Sequence, residues 1–582
     1  MSRKKKSIEM AALYTPEGER LIVENNIIPW QSYPRPHLKR RSFICLNGEW
    51  ELVVKNREIE HSYKILVPFV PQSLLSGVHR EYSEGDVLCY NRKFSIKREN
   101  ANARLLLHID GADRDTEVYL NGALVGRHSG GYDPMTLDVT NTVRGENYLE
   151  IRVTDDHKSC AAPYGKQREK RGGMWYTPVS GIWQSVWLEE VPETYVSEIR
   201  VETDLSGAWV TVETNDGKPC RGEIVFNDSG IERTIALMDS RARIEPEDPK
   251  LWSPEAPHLY SISVKVGEDT VESYFALRTV TIENGRLCLN GKPYFFHGLL
   301  DQGYFSDGIF LPASPEGYER DILKAKELGF NMLRKHIKVE PELFYHACDR
   351  LGMIVFQDMV NCGKYSFLRD TALPTVGFKR KNDKRAHRDP EMRREFLDCM
   401  KKTVTRLDFH PSVCYWTIFN EGWGQFDHAA AYTELKKLDN SRPIDSVSGW
   451  FLPHGEAQSD VESLHVYFKK VKLRPSLKPV VLSEFGGYSY KVEGHSFNPR
   501  QNYGYGSCSS AEELEAMLTA LYEEQVIPTI KNGLCGAVYT QLTDVEDETN
   551  GLMTYDRRVT KVSAEKMRVI SEKIRSALDS IK

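Results

Sequence analysis

The stretch that most limits how this chain can fold is Val413-Cys414-Tyr415-Trp416-Thr417-Ile418-Phe419-Asn420-Glu421. It is apolar, β-branched and aromatic without alternation, then ends in an amide and a carboxylate. Such a run is a strand buried on both faces, as in a parallel sheet covered by helices. A strand that is polar only at its C-terminal tip resembles a barrel strand delivering reactive groups to the top face. Pro479-Val480-Val481-Leu482-Ser483-Glu484-Phe485-Gly486-Gly487 repeats the pattern and delivers a second carboxylate.

The chain around these stretches changes rhythm at Asn290-Gly291-Lys292. Beyond it, strands are expected at 293–300, 331–336, 353–359, 413–421, 443–448, 462–467, 479–485 and 536–543. Helical patterns lie between them at Gly317–Leu328, Glu342–Arg350, Met392–Leu407, Ala429–Leu438 and Ala511–Val526, with a last one at Ser563–Leu578. Eight strands with interleaved helices over about 290 residues make a (β/α)8 TIM barrel. Upstream, little has helical period. Phe43–Leu46, the turn Asn47-Gly48 and Glu49–Val54 read as a hairpin, and Glu117–Leu120, Asn121-Gly122 and Ala123–Gly126 as another. Leu105–Ile109, Tyr148–Val153 and Ser185–Leu188 add strands. A second set follows at Val196–Thr203, Trp209–Val212, Gly222–Phe226 and Leu259–Val266. The expected division is a jelly-roll β-sandwich over 1–192, an immunoglobulin-like β-sandwich over 193–281 and the barrel over 282–582.

Composition narrows the partners. The 582 residues are 40% hydrophobic and 27% charged, ordinary for a soluble globular chain. A net charge of −6 gives no reason to expect nucleic acid or an anionic membrane. The basic run from Lys379-Arg380-Lys381 to Arg393-Arg394 is interrupted by acidic residues and reads as a solvated face. Eleven cysteines, an odd number without a C-x-x-C pair, point to neither a zinc ribbon nor a disulfide framework. Met1–Lys6 is basic but continues into Ser7-Ile8-Glu9 and not into an apolar stretch, unlike a signal peptide. With no apolar run long enough to span a membrane, the expectation is a cytoplasmic enzyme without metal or cofactor. Assembly into a homo-oligomer stays open.

Two buried strands tipped with Glu suit cleavage of a glycosidic bond, which uses one carboxyl to donate a proton and one carboxylate to trap or stabilise the sugar cation. The tips Asn420-Glu421 and Ser483-Glu484-Phe485-Gly486, in a chain ordered sandwich, sandwich, barrel, resemble glycoside hydrolase family 2, the family of β-galactosidases, β-glucuronidases and β-mannosidases. Leu46-Asn47-Gly48-Glu49-Trp50, Val118-Tyr119-Leu120-Asn121-Gly122 and Ser180-Gly181-Ile182-Trp183-Gln184 are similar to its sugar-binding domain. The resemblance implies that Glu421 is the acid/base, Glu484 the nucleophile and Asn420 a donor to the sugar 2-hydroxyl. It also implies that Tyr467, in His465-Val466-Tyr467, lies beside the nucleophile, and that Arg334 pairs with it from below. Family members retain anomeric configuration, which needs carboxyls roughly 5–5.5 Å apart. A nucleophile must stay ionised, as a nearby cation such as Arg334 would ensure. Asn420 and Glu421 are adjacent, so the backbone must bend or bulge for both to face one site.

Asp301, Gln302, Lys335, His336, Asp358, Gln541 and Asp544 follow barrel strands and are further sugar-contact candidates, as is His465; Trp423 and Trp450, just past strand ends, are candidates for stacking. Some motifs depart from the family. The second tip reads Arg334-Lys335-His336-Ile337-Lys338, and Asn550 is followed by Gly551-Leu552 where β-glucuronidases carry an Asn-x-Lys element. The leading expectation is a retaining exo-β-glycosidase of the β-galactosidase kind acting on an oligosaccharide or small glycoside. A β-glucuronidase or other β-glycosidase is the alternative within the class, and a non-catalytic carbohydrate-binding protein the alternative outside it.

Overall fold

The computed structural model describes residues 10–24, 27–57, 59–82, 85–98, 100, 102–228, 230–375, 378, 382–449, 452 and 457–581. Trp450 and Lys379-Arg380-Lys381 lie outside the described residues.

The barrel strands are β1 (Phe296–Asp301), β2 (Met332–Lys335), β3 (Ile354–Asp358), β4 (Val413–Asn420), β5 (Ile444–Ser448), β6 (Glu462–Val466), β7 (Val480–Phe485) and β8 (Leu534–Tyr539). They form one sheet in the order β5-β4-β3-β2-β1-β8-β7-β6, with every pairing parallel. Among the described residues no ladder joins its two edges; the Ser448 and Ser463 hydroxyls, 3.4 Å apart, and the bond from Ile444 N to Asp460 Oδ2 bring β5 and β6 together there. Neighbouring residues alternate between two apolar cores, as the pleat requires. Leu299, Leu333, Val355 and Leu482 face the layer of helices, and Leu300, Met332, Phe356 and Val481 belong to the other cluster. β4 is buried at every position. Phe419 stacks on Phe396 of the helix Pro390–Leu407 at 4.9 Å, and Trp416 Nε1 donates to Asp439 Oδ2 at 2.8 Å.

Two expected elements differ in detail. β8 ends at Tyr539: Thr540 N and Leu542 N still donate to Phe485 O of β7 and Leu300 O of β1, but Gln541 N between them turns away to Asn550 O. The helix expected over 511–526 is α-helical from Ala511 to Leu521 and then widens to a π turn over Tyr522–Val526. Pro528, which has no N–H to give the preceding turn, follows directly.

The first sandwich pairs a sheet of Ile44–Cys45, Val186–Val191, Arg104–Ile109 and Met135–Asp138 with a sheet of Ile59–Val67, Gly48–Asn56, Val87–Ser95, Glu146–Thr154, Asp115–Leu120 and Ala123–Ser129. The Asn121-Gly122 hairpin forms, with both residues at positive φ. The Asn47-Gly48 hairpin does not: its two strands belong to different sheets. Asn47 is fully buried and its side chain is spent across the gap, donating to Trp30 O and Ser185 Oγ and accepting from Val186 N. The second sandwich stacks Val196–Thr203, Ala208–Thr214 and Arg241–Ile244 on Ile231–Leu237, Gly222–Asp228, Tyr260–Val266 and Asp269–Phe275.

Buried ionic groups lock the units together. Arg40 donates to Asp269 Oδ1 at 3.0 Å and Oδ2 at 2.8 Å, and lies 3.3 Å from Glu189 of the first sandwich. At the foot of the barrel His410 sits between Asp349 (2.6 Å) and Glu342 (2.8 Å), and the Tyr274 hydroxyl of the second sandwich donates to the same Asp349. The segment before the first sandwich runs back to the barrel. Thr15 N and Oγ1 both donate to Asp307 Oδ2, and Arg558 Nε donates to Tyr14 O.

Candidate active site

The strand tips converge on Arg334, the third residue of β2, which is 1% exposed. Its Nε donates to Asp358 Oδ1 at 3.0 Å, its Nη2 to Asn420 Oδ1 at 2.9 Å, and its Nη1 to Ser483 O at 3.0 Å and Glu484 Oε1 at 3.1 Å. One planar fork therefore joins β2, β3, β4 and β7, a task for which lysine lacks the geometry. Asp358 also holds His336 Nδ1 at 2.8 Å. Burial pushes the His336 ring down to about 4, so it is neutral near pH 7.

Glu484 and Glu421 face each other across His465. The Tyr467 hydroxyl donates to Glu484 Oε2, and His465 Nδ1 lies 3.4 Å from the same oxygen and 2.8 Å from Glu421 Oε1. His465 Nε2 is 2.8 Å from Ser448 Oγ, which fixes the ring. One oxygen of each carboxylate and a His465 nitrogen all lie within 4.8 Å of one another. Burial pushes the Glu484 carboxyl up, but the His465 imidazole and the Arg334 guanidinium outweigh it and hold it below the usual range. The bend expected after Asn420 is present: Glu421 has φ +51° and Gly422 +76°, and Glu421 N donates to Ser448 O. The left-handed turn brings both adjacent side chains to one pocket.

That pocket is lined by Asn420, Glu421, Glu484, Tyr467, His336, Gln302 and Trp423, all singled out from the sequence. Trp423 is 1% exposed and packed against Trp175 at 5.2 Å, so its ring is largely covered. The other sugar-contact candidates, Asp301, Lys335, Asp358, His465, Gln541 and Asp544, do not line it. Asp301 is held by Lys335 Nζ at 2.6 Å, and Asp544 by Lys561 Nζ at 2.6 Å. Gln541 stands behind Gln302, accepting from its amide at 2.8 Å. Lys335 and Lys338 are both spent on Glu340.

The pocket also includes residues that strand tips do not reveal. Lys166 and Met174 come from the first sandwich, on the loop between Glu146–Thr154 and Gly181–Ile182; Tyr505, Thr540 and Glu548 come from loops after β7 and β8. The sandwich loop lies across the barrel mouth. Tyr164 N donates to Asn361 O at 3.0 Å, Tyr164 Oη to Gly363 O at 2.8 Å and Thr177 N to Glu546 Oε1 at 2.8 Å, while the Tyr176 hydroxyl donates to Glu548. Tyr505 stacks on Tyr467 at 3.6 Å and holds the ring that serves Glu484.

Each of the three units matches a known family. The model of the glycosyl hydrolases family 2 TIM barrel domain matches residues 280–571, that of the glycosyl hydrolase 2 galactose-binding domain-like unit residues 76–181, and a further glycosyl hydrolases family 2 model residues 194–278. The chain belongs to glycosyl hydrolase family 2. Within the family it is similar to a β-galactosidase of Thermoanaerobacter pseudethanolicus, 24% identical over 495 residues that cover 78% of this chain and 62% of the relative. It is 26% identical to a β-galactosidase of Aeromonas hydrophila over 73% of this chain and 44% of the relative. The chain thus spans between about half and two thirds of these relatives' length. Among solved structures, the β-D-glucuronidase of Dictyoglomus thermophilum superposes with a TM-score of 0.72 at 19% identity, covering 93% of this chain and 98% of that one. At that identity the family-2 likeness is one of fold.

Proposed function

We propose that this chain is a retaining exo-β-glycosidase that removes a terminal neutral sugar, of the β-galactoside kind, by double displacement. The observation that carries the reading is the approach of Glu421 and Glu484 within 4.8 Å, too close to admit a water between them as an inverting enzyme needs. The Glu484 carboxylate attacks the anomeric carbon as the glycosidic C–O bond breaks. Glu421 gives its proton to the departing oxygen. Water then attacks the glycosyl ester and returns a proton to Glu421, freeing Glu484 and leaving the configuration unchanged. Arg334 and the Tyr467 hydroxyl keep Glu484 ionised and aimed. Because Asn420 Oδ1 is held by Arg334, the Asn420 amide turns its N–H groups to the ligand and can donate to the sugar 2-hydroxyl.

A neutral sugar is favoured over a uronic acid because the lysines at the second tip are paired with Asp301 and Glu340. A buried sugar carboxylate would meet Glu421, Glu484 and Glu548 in the pocket against the single ammonium of Lys166, without either second-tip lysine. The test is a panel of p-nitrophenyl glycosides together with Glu484→Ala and a 2-deoxy-2-fluoro glycoside. Glu484→Ala should lose at least about three orders of magnitude in rate, and the fluoro sugar should label Glu484. Labelling of Glu421, or a glucuronide preferred over the matched galactoside by about tenfold or more, overturns the roles or the sugar class respectively.

A further inference from the structure

Lys166 enters the pocket from another unit of the molecule, and no task at the carboxylates accounts for it. It is 6% exposed and lines the same cavity as Glu421 and Glu484. Its ammonium makes neither hydrogen bond nor ion pair among the described residues. It lies 4.9 Å over the Trp423 ring and 5.9 Å over that of Tyr176. Aromatic faces compensate a buried ammonium only in part.

The backbone is shaped to put it there. Lys166 O accepts from Tyr176 N at 3.0 Å, and Gly165 beside it has φ +65°. A Cβ on Gly165 would come 2.9 Å from Ile337 O, so only glycine lets this loop press so near the barrel.

On the barrel side the counterpart is Glu548, 2% exposed and lining the same cavity. The Tyr176 hydroxyl and the Gln541 amide, at 3.4 Å, both donate to its Oε2. Its Oε1 accepts nothing among the described residues. The two side chains influence each other electrostatically, yet they form no ion pair. A donor and an acceptor thus share a pocket without touching. Of the groups a sugar presents, a hydroxyl is the one that accepts from an ammonium and donates to a carboxylate. A ligand carboxylate would satisfy Lys166 but confront Glu548 and Glu484.

We propose that Lys166 and Glu548 form a hydroxyl-recognition pair for a neutral sugar ring in this pocket, so that the first sandwich helps to decide which glycoside the barrel accepts. The proposal rests on the glycosidase reading above, and its test separates the two. The measurements are kcat/KM for wild type, Lys166→Met, Lys166→Arg, Glu548→Gln and the double variant on the preferred p-nitrophenyl glycoside and on its monodeoxy analogues, with calorimetric binding of the free monosaccharide alongside. Lys166→Met and Glu548→Gln should each lower kcat/KM by at least about tenfold, and Lys166→Arg should recover part of the loss. On the one deoxy analogue lacking the contacted hydroxyl, all variants should match wild type, which a merely structural defect would not produce. Losses equal on every analogue, or variants within about twofold of wild type on the parent glycoside, overturn the pair. A glucuronide preference that disappears in Lys166→Met also overturns it, assigning Lys166 to a carboxylate. If wild type turns over no glycoside, the glycosidase reading fails. Monosaccharide binding then decides the pair alone: binding lost in Lys166→Met supports it, and binding unchanged or absent in wild type ends it.

Discussion

Glu421 is a non-glycine residue in the left-handed region, a conformation that costs energy and persists only where its surroundings enforce it. Here the enforcement is the bond from its N–H to Ser448 O and the contact of its carboxylate with His465. If Glu421 is the acid/base, Glu421→Ala should keep much of its glycosylation rate on substrates with good leaving groups, which need little protonation. On poor leaving groups it should lose about two orders of magnitude or more. Added azide should then raise turnover of the good substrates by attacking the glycosyl-enzyme without base help. Equal losses on good and poor leaving groups, with no response to azide, would remove that role. Glu421 and Glu484 were legible in the sequence because each tips an apolar strand and a barrel brings such tips together, whereas Asn420, Arg334 and Tyr467 came through the family resemblance, the strands that carry Arg334 and lead to Tyr467 being too short or too polar to stand out. Lys166 and Glu548 were not, since loops carry no periodicity. The one signal for Lys166 is negative: the stretch from Asp155 to Ser180 shows no strand alternation in an otherwise strand-dense unit, and long structureless loops are commonly functional.

At the scale of elements, composition alone placed β4 and β7, because their buried lengths are apolar almost to the tip, whereas β2 and β5 bury Arg334, Lys335, Asp445 and Ser446 and stand out less. What composition could not carry is register. The ladder between β7 and β8 shifts between Leu482 and Phe485, and that between β6 and β7 at Leu464/His465, so Ser483-Glu484 and His465 leave the regular pleat just where they meet. For the same reason the Asn47-Gly48 turn misled: its residue types fit a hairpin, but the bonds Asn47 makes to Trp30, Ser185 and Val186 lie far away in sequence. The packing of β4 makes its own prediction. Phe419 is 2% exposed, stacked on Phe396 and edge-on to Phe426. Phe419→Ala should cost about 3–5 kcal/mol of stability through the cavity it leaves, read as a lower denaturant midpoint. A loss under about 1 kcal/mol would show that the helix collapses onto the strand without penalty.

For the whole molecule the decisive contacts are between units, and the His410 cluster gives them a pH signature. Burial opposes a charge on this ring, but Asp349 and Glu342 outweigh it and raise it to about 9. Around it stand Tyr274, His37, His346 and Arg406 as well as the two carboxylates. A folded-state value above the unfolded value near 6.5 gives stability that is present in full below about pH 6.5 and lost as pH rises through about 9. Wild type should therefore lose melting temperature across that window, while His410→Gln should begin lower at pH 6 and fall less steeply. Parallel curves for the two proteins would exclude the imidazolium.

The segment near Thr15 has a consequence of another kind, one that concerns time. Tyr14 and Arg558 are bonded across 544 positions, and β1 cannot pair with β8 until residues near 534 exist. At about 5–20 residues per second, a ribosome needs roughly 30–110 s to cover that interval. Between residues 335 and 534, over a third of it, both sandwiches can already be folded while the half-made barrel has an open edge at β1. Thr15 can take Asp307 as soon as the first barrel loop is made, whereas Tyr14 O waits for Arg558, and a chain that stalls near 500 carries both carboxylates but lacks that bond.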